Sequence, residues 1–224
     1  MAVYSNGIAT KKLLVAVTYQ QLLQKDASKI RVRDIAEMSG CSPATIYRHF
    51  ETLEYLIVVS SMRILDAYTV EYGELIDRAL DPASTYREGW GLFDRHAFNR
   101  PDIYLRLFWG PYNDSFESAA QEYYELFPYS GSTRNTAYFF IMFFNGSMQE
   151  RDYMALRNIA NVGLITTGDA RYLSQVNPII AKGMIEDSVG LDASARARMR
   201  DNCDALIYQG LERAIEQHTD GDGP

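Results

Sequence analysis

A short helix with an apolar back and a polar, basic front is predicted between Ala44 and Phe50. Ile46 and Phe50 are four residues apart and therefore share one face of such a helix. Small, polar and basic side chains are left to face outward, namely Ala44, Thr45, Arg48 and His49. The DNA major groove accepts a helix of this kind, because hydroxyl, guanidinium and methyl groups can contact base edges there. The stretch therefore predicts contact with double-stranded DNA.

Two helices joined by a tight turn would hold this front in position. Ile35 supplies an apolar position on the first helix, and Gly40 ends that helix because glycine tolerates the positive φ of a sharp turn. Ser42 is a favoured N-cap, and Pro43 suits the first helical position, whose N–H has no partner within the helix. The sequence thus predicts a helix-turn-helix over residues 31–50.

The net charge of −7 does not exclude DNA as a partner. Residues 1–60 contain seven basic and five acidic residues, a net charge of +2, so the remaining 164 residues carry −9. A basic head on an acidic body would direct one end of the molecule toward phosphate. A surplus of +2 is small, so the charge alone leaves the question open.

Apolar residues recur at intervals of three and four along most of the chain, and strand-like alternation bounded by turn residues is absent. This periodicity predicts an all-α fold. Pro82 is expected to end a long helix and Thr85 to open the next one. A tail over residues 219–224 is predicted to be disordered. Besides the helix-turn-helix, helices are predicted over residues 10–25, 52–80, 85–98, 103–109, 114–127, 133–166 (irregular near Asn145-Gly146), 168–190 (kinked or split at Pro178) and 192–217.

One leading helix, a helix-turn-helix, a long connecting helix and an all-helical body together resemble the tetracycline-repressor (TetR) family of transcriptional regulators. The matching segments are Asp34-Ile35-Ala36, Ser39-Gly40-Cys41-Ser42, and Ala44 to Phe50 with its aromatic–basic–His–Phe ending. The resemblance implies a three-helix DNA-binding head over residues 1–51. It also implies a larger helical domain for effector binding and dimerisation over residues 52–218.

The resemblance also implies which residues face DNA. Where the family usually has a capping Thr on its second helix this chain has Arg31, and where it often has a phosphate-binding Lys on its fourth helix this chain has Leu53. Tyr47 could instead pack against the first helix, and Arg31 and Arg33 could be solvated surface charges. Ser42 is at least partly a cap, whatever else it contacts. The DNA-facing set is Lys11, Lys12, Lys29, Arg31, Arg33, Ser42, Pro43, Ala44, Thr45, Tyr47, Arg48 and His49.

Aromatic residues are concentrated between residues 86 and 153, which contain 19 of the 28 in the chain. Such rings form the core of a helical body, but they also form apolar small-molecule pockets with a few polar groups. The resemblance places an effector cavity among residues 62–145. The residues predicted to line it are Trp90, Phe93, Phe108, Trp109, Phe116, Tyr123, Phe140 and Phe144, with Asn145 as a polar group.

These rings favour a largely apolar or aromatic effector. The acidic surplus leaves open a cationic aromatic effector bound by Glu117, Glu122 and Glu125, which could equally form a solvated helix face. The function predicted is that of a repressor released from its operator by the effector. A regulator without a small-molecule effector, acting through a protein partner or as an activator, remains the alternative.

The last helix carries apolar residues at helical spacing, including Cys203, Ile207 and Leu211. They could be buried within one subunit. The resemblance instead implies a symmetric four-helix dimer interface, which would hold two recognition helices about 34–36 Å apart on a near-palindromic operator.

Several other classes of protein are disfavoured. Two cysteines and three histidines provide no metal spacing, and no nucleophile elbow or phosphate-binding glycine loop occurs, so neither an enzyme nor a cofactor is predicted. No apolar run reaches the roughly 18 residues of a membrane span. Because the N-terminus lacks a basic-then-apolar signal sequence, we expect a cytoplasmic protein.

Overall fold

The structure, a computed structural model, describes residues 2–128 and 146–221. Within these two ranges there are ten α-helices and no strand, which confirms the all-α prediction. No helix in either range is both long enough and apolar enough to cross a membrane. The helices are α1 (Ala2–Gln24), α2 (Val32–Ser39), α3 (Pro43–His49), α4 (Leu53–Asp77), α5 (Pro82–Asn99), α6 (Pro101–Trp109), α7 (Phe116–Leu126), α8 (Met148–Asn161), α9 (Thr167–Asp187) and α10 (Ala193–Gly221).

The first three helices pack on one another and form the head. Leu14 and Leu22 of α1, Ile35 of α2, Ile46 of α3 and Phe50 are all at most 1% exposed. Gly40 ends α2 with φ +66°, the left-handed conformation that the turn requires. The predicted helix-turn-helix is therefore present. The helix α1 begins well before the expected residue 10.

The body is arranged around α4, which also packs on α1 of the head. Its neighbours within the body are α5, α6 and α7. A second layer is formed by α8, α9 and α10, with α9 packed on both of the others and α10 on α5. Because α4 reaches both regions, it connects the head to the centre of the body.

The boundary between α4 and α5 differs from the prediction. The helix α5 begins at Pro82 and not at Thr85, because the Asp81 carboxylate accepts the Ser84 N–H at 2.9 Å and caps the helix there. The preceding helix ends earlier, at Asp77. Pro82 therefore opens a helix at its first position instead of ending one.

The helix predicted over residues 133–166 is interrupted at Gly146, which has φ +79° and lies where an irregularity was expected, but the helix ends earlier than predicted. A capping box between Ser147 and Glu150 starts α8, which ends at Asn161. Gly163 then adopts φ +77°, and a second capping box from Thr166 opens α9. Residues 133–145 lie outside the described residues.

Two further predictions concern α9 and α10. Pro178 lies inside α9, which nevertheless runs unbroken from Thr167 to Asp187, so the helix is not split there. The last helix continues to Gly221, past the expected end at residue 217. Its final turns carry a hydrogen bond from the Thr219 hydroxyl to the Ile215 carbonyl at 2.6 Å. Residues 219–221 are thus helical and not part of a disordered tail.

Candidate DNA-facing surface and effector cavity

The exposed front of α3 follows from how the helix is capped. The Ser42 hydroxyl accepts the Thr45 N–H at 3.1 Å and lies 2.9 Å from the Thr45 hydroxyl. With Ile46 turned into the core, the outward residues Pro43, Ala44, Tyr47 and Arg48 are exposed. Tyr47 is 50% exposed, so half of its side chain remains accessible on this front. His49 is half-buried.

The basic residues of the head divide into two groups. Lys12, Arg33 and Arg48 are exposed, and the ammonium of Lys12 lies 5.9 Å from the centre of the Phe127 ring. The other group consists of Lys11, Lys29 and Arg31, which form contacts with other residues of the chain. Arg31 donates to the carbonyls of Ser28 at 2.7 Å and Ile30 at 3.0 Å.

Lys29 forms an ion pair with Asp26 at 3.3 Å. Lys11 forms an ion pair with Glu122 of α7 and lies 5.5 Å from the centre of the Phe50 ring. Burial, with the positive charges of Lys11 and Arg48, lowers the pKa of His49 and favours its neutral form at pH 7.

A polar junction fixes the head to the body. Arg100 donates to the Leu22 carbonyl at 2.8 Å, and Asp102 accepts the Ala27 N–H at 2.9 Å. Arg100 and Asp102 also pair with each other at 3.0 Å. Burial raises the pKa of Asp102, but hydrogen bonds from Arg100 and Ala27 outweigh it and hold this pKa below its usual value. The ionised carboxylate is therefore stabilised where the two regions meet.

The first turn of α4 has further links to the body. The Thr52 hydroxyl lies 2.7 Å from the Tyr112 hydroxyl, and the Tyr55 hydroxyl donates to Glu122 at 3.0 Å. Since Glu122 also pairs with Lys11, one carboxylate connects α1, α4 and α7. Of the three glutamates considered for a cationic effector, Glu122 has this role, while Glu117 and Glu125 are exposed on α7.

A cavity of about 360 Å³ lies in the body between α4, α5, α6 and α8. Tyrosine, tryptophan and phenylalanine rings form much of its wall, and the charged residues among its described lining are Arg151 and Asp152. The described residues that line it are Tyr68, Tyr72, Ile76, Ala79, Leu80, Pro82, Thr85, Tyr86, Gly89, Trp90, Phe93, Phe108, Met148, Arg151, Asp152, Ala155 and Asn158.

A buried hydrogen-bond chain ends on Asp152. Trp90 Nε1 donates to Asp152 Oδ1 at 2.8 Å, and the Tyr86 hydroxyl donates to Oδ2 at 3.2 Å. The Tyr86 oxygen in turn accepts a hydrogen bond from Asn177 Nδ2 of α9 at 2.7 Å. Three helices thereby position one carboxylate in the cavity wall.

The neighbouring Arg151 lies against aromatic rings. Its guanidinium carbon is 5.4 Å from the ring centres of both Phe108 and Phe116, within the range of a cation–π contact. Burial lowers the pKa of Arg151 to about 10, so the guanidinium is still charged at neutral pH.

Three of the rings predicted from sequence line the cavity: Trp90, Phe93 and Phe108. The other three described ones do not: Trp109 is half-buried at the end of α6, Phe116 packs against Arg151, and Tyr123 packs against Tyr124 and Phe127. The predicted residues Phe140, Phe144 and Asn145 lie outside the described residues.

Sequence reasoning missed both charged residues of the cavity. Asp152 occupies an otherwise apolar stripe of α8, with Met148 one turn before it and Leu156 one turn after it, and all three are buried. An acidic residue at an inward position of an amphipathic helix is the signal that could have identified it.

A second buried carboxyl lies away from the cavity. Asp94 of α5 is fully buried beside Asp204 and Cys203 of α10. Burial and the neighbouring Asp204 raise the pKa of Asp94 well above its usual value. The other cysteine, Cys41, is half-buried at the turn before α3.

The three histidines lie on three different helices, α3, α5 and α10. His96 lies 3.2 Å from Glu71. No group of three or more metal-binding side chains is found among the described residues.

The outer helices α9 and α10 combine buried and exposed apolar residues. Cys203, Ile207 and Leu211 are buried within the subunit. In contrast, Tyr172 and Ile179 of α9 are 67% and 64% exposed, and Leu206 of α10 is 49% exposed. Both outer helices therefore expose apolar side chains.

Comparisons with known proteins agree with this architecture. The sequence matches no protein-family model and no curated protein. Among solved structures, the chain is similar to a proposed TetR-family transcriptional regulator from Mesorhizobium loti, at a TM-score of 0.53 and 15% identity, over 92% of this chain and 96% of that one. It is also similar to FadR of Thermus thermophilus, a TetR-family transcriptional repressor solved in complex with lauroyl-CoA, at a TM-score of 0.51 and 12% identity, over 96% of this chain and 95% of that one. The chain therefore has the fold of TetR-family regulators along nearly its whole length.

Proposed function

We propose that this chain is a DNA-binding transcriptional regulator, a repressor released from its operator by a small, largely apolar effector. The observation that carries the proposal is the exposed polar and basic front of α3 on a buried back. This front lies in the helix-turn-helix of a TetR-like fold.

In this proposal residues 1–51 bind DNA and residues 52–218 bind the effector and dimerise. Arg48 is the side chain best placed to contact a guanine edge, with Ala44 and Thr45 near thymine methyl groups. Lys12 and Arg33 would contact phosphate directly, since both are exposed. Lys11 would first have to leave Glu122, so we assign it a smaller part in phosphate binding.

The remaining residues of the DNA-facing set have supporting parts in the proposal. Ser42 would combine capping with a phosphate contact, and Pro43, Tyr47 and His49 would contact the sugar-phosphate backbone. Lys29 and Arg31 are held by their own loop and would add charge near the DNA without a direct base contact.

The effector site in this proposal is the cavity between α4, α5, α6 and α8. Its volume of about 360 Å³ lies within the range of small-molecule sites, about 300–1,000 Å³. The repressor FadR, which has a similar fold, was solved with lauroyl-CoA, a ligand with a long apolar chain. An apolar effector would fill the same kind of space here.

A homodimer would complete the regulator. The exposed apolar side chains of α9 and α10, among them Tyr172, Ile179 and Leu206, are what a symmetric partner would cover. Replacing Ile179 with Asp should shift the protein toward a monomer in sedimentation, whereas Glu186→Asp on the same helix should not. A dimer places two heads on one near-palindrome, and the same proposal locates the protein in the cytoplasm with the DNA.

Regulation would follow from a shift between conformations. The helix α4 contributes Tyr68, Tyr72 and Ile76 to the cavity, and it packs against α1 at its other end. An effector that prefers a conformation with differently spaced heads would release the operator. The alternative, a regulator controlled by a protein partner or acting as an activator, requires no ligand in this cavity.

The test is fluorescence anisotropy with labelled DNA from upstream of the chain's own gene. Specific binding that persists against excess unrelated DNA supports the proposal, and its absence at low salt contradicts DNA binding. Native mass spectrometry of the purified protein would reveal a bound small molecule. Adding that molecule back should release the DNA if the protein is an effector-controlled repressor.

A further inference from the structure

The cavity contains a carboxylate with neutral hydrogen-bond donors. Asp152 accepts hydrogen bonds from Trp90 at 2.8 Å and from Tyr86 at 3.2 Å. Among the described residues, no nitrogen of Lys, Arg or His forms an ion pair with its oxygens. A negative charge is thereby held in an apolar wall without a positive partner from this part of the chain.

Such a charge is costly to bury. Burial raises the pKa of Asp152 to about 7, although the hydrogen bonds from Trp90 and Tyr86 partly oppose this rise. A buried carboxylate recovers much of its lost hydration energy when a cation binds directly to it. A positively charged ligand should therefore bind next to Asp152 more favourably than a neutral one.

The other charged residue of the cavity is differently placed. The guanidinium of Arg151 already lies on the faces of Phe108 and Phe116, at 5.4 Å from each ring centre. Ring faces carry negative potential, so they stabilise this cation. Arg151 therefore already has favourable electrostatic contacts with ring faces, whereas the hydrogen bonds to the Asp152 carboxylate come from neutral donors.

The aromatic walls of the cavity also favour a positively charged ligand. Ring faces attract cations and repel anions. The helices around Asp152 contribute phenol and amide groups, apart from the charged Arg151 on α8 itself. These phenol and amide groups are Tyr68 and Tyr72 from α4, Tyr86 from α5 and Asn177 from α9.

We propose that the effector is a lipophilic amine, whose protonated nitrogen donates hydrogen bonds to Asp152 while its apolar body lies among the aromatic rings. This inference rests on the proposed effector cavity and specifies the chemical class of its ligand. It also moves the acidic partner of a cationic effector from α7, where the sequence suggested Glu117, Glu122 and Glu125, to α8.

The experiment uses three probes of matched size on the full chain: 4-phenylbutylamine, 4-phenylbutan-1-ol and 4-phenylbutanoate. Calorimetry at pH 8 should show the amine binding more tightly than the alcohol by about tenfold or more, because a charge-assisted hydrogen bond contributes more than a neutral one. The acid should bind most weakly of the three.

Two variants identify the carboxylate. Asp152→Asn keeps the shape of the side chain and should weaken the amine by about 10- to 100-fold while leaving the alcohol nearly unchanged. Glu117→Gln removes an exposed carboxylate of α7 and should leave all three affinities unchanged. A fall in amine affinity with Glu117→Gln alone would overturn the assignment to Asp152.

A pH series on the unmodified protein provides a test that does not depend on the variant folding. Between pH 8 and pH 6 the amine stays protonated while the carboxyl gains a proton, so amine affinity should fall by about tenfold. The affinity of the alcohol should change little. A pH-independent amine affinity would contradict a role for an ionised Asp152.

The outcomes separate this inference from the proposed function. If the acid binds as tightly as the amine, or if none of the three probes binds, the amine proposal is overturned. DNA binding in the anisotropy assay would then still support the regulator. Loss of specific DNA binding together with amine binding at Asp152 would instead contradict the regulator and leave the amine site.

Discussion

The head and the body differ in the charged groups that they bury. The core of the head consists mainly of aliphatic and aromatic residues such as Leu14 and Ile46, its buried polar side chains Thr18 and Gln21 are neutral, and its cations lie on the surface. The body buries Asp94 beside Asp204 and Cys203, and Asp152 among aromatic rings. A surface that contacts DNA requires exposed charge on a rigid back, whereas a pocket that selects a small molecule requires a few polar groups held away from water.

The largest effect is expected from a substitution in the core of the head. Ile46 is fully buried, so Ile46→Ala should cost about 2–5 kcal/mol of stability through lost contacts and a cavity. DNA binding should be lost at temperatures where the body remains folded. Circular dichroism melting combined with the anisotropy assay measures both, and Val162→Ala, at an exposed position just after α8, is the control. If Ile46→Ala leaves the melting transition and DNA binding unchanged, Ile46 does not stabilise the head.

Removing the exposed guanidinium of α3 is expected to have the next largest effect. Arg48→Ala should weaken operator binding by about 1–3 kcal/mol and relax base preference at one position of each half-site, if Arg48 contacts a base edge. Stability should change little because the side chain is exposed. Arg157→Ala, an exposed arginine of α8, provides the matched control in a binding assay over a panel of single-base operator variants. Unchanged affinity and base preference for the Arg48 variant would contradict this role.

A pH experiment tests the buried charge of the body. Because the folded state raises the pKa of Asp94 above its unfolded value, this group stabilises the fold fully at low pH, and that stabilisation is lost as pH rises. Asp94→Asn removes this dependence, so the variant should exceed the native protein in stability by about 1–3 kcal/mol near pH 8 and lose its advantage near pH 4. Urea unfolding at fixed protein concentration measures the difference, and the exposed Asp187→Asn should show no such trend. A variant less stable than the native protein at pH 8 would contradict this prediction, because it would mean that neighbouring groups stabilise the ionised carboxylate of Asp94.

The smallest effect is expected at the cap of α3. Ser42→Ala removes the hydrogen bond to the Thr45 N–H and should cost about 0.5–2 kcal/mol of stability. Ser42→Asp keeps a capping oxygen but places negative charge near phosphate, so it should retain stability and weaken DNA binding. Equal DNA affinity for the two variants would show that Ser42 is a cap and lies away from the backbone of the DNA.

The same contrast explains which parts of the molecule the sequence could predict. The turn at Gly40 and the cap at Ser42 depend on neighbouring residues, so local patterns placed α2 and α3 correctly. At the start of α5 two local signals competed, since both Asp81 and Thr85 are residues that cap helices, and it is Asp81 that accepts the capping hydrogen bond from Ser84.

The cavity was harder to predict because its wall is assembled from four separate helices. Phe108 and Phe116 have the same residue type and similar burial, yet one lines the cavity and the other lies behind Arg151. Only the crossing of α6, α7 and α8 distinguishes them. Asp152 alone carried a local signal, as an acid in an apolar stripe.

Because α4 is continuous, a rotation of this helix at the cavity would move the proposed DNA-facing surface at its other end. The helix has 25 residues without a break, and Tyr72 near its far end lines the cavity. From Tyr72 to Leu53 it extends roughly 28 Å at 1.5 Å per residue, so a rotation of about 5° around Tyr72 would displace its first turn by roughly 2–3 Å. A ligand that shifts a cavity ring by a fraction of an ångström would thereby cause a larger displacement of the head. The head would then no longer fit DNA grooves of fixed spacing.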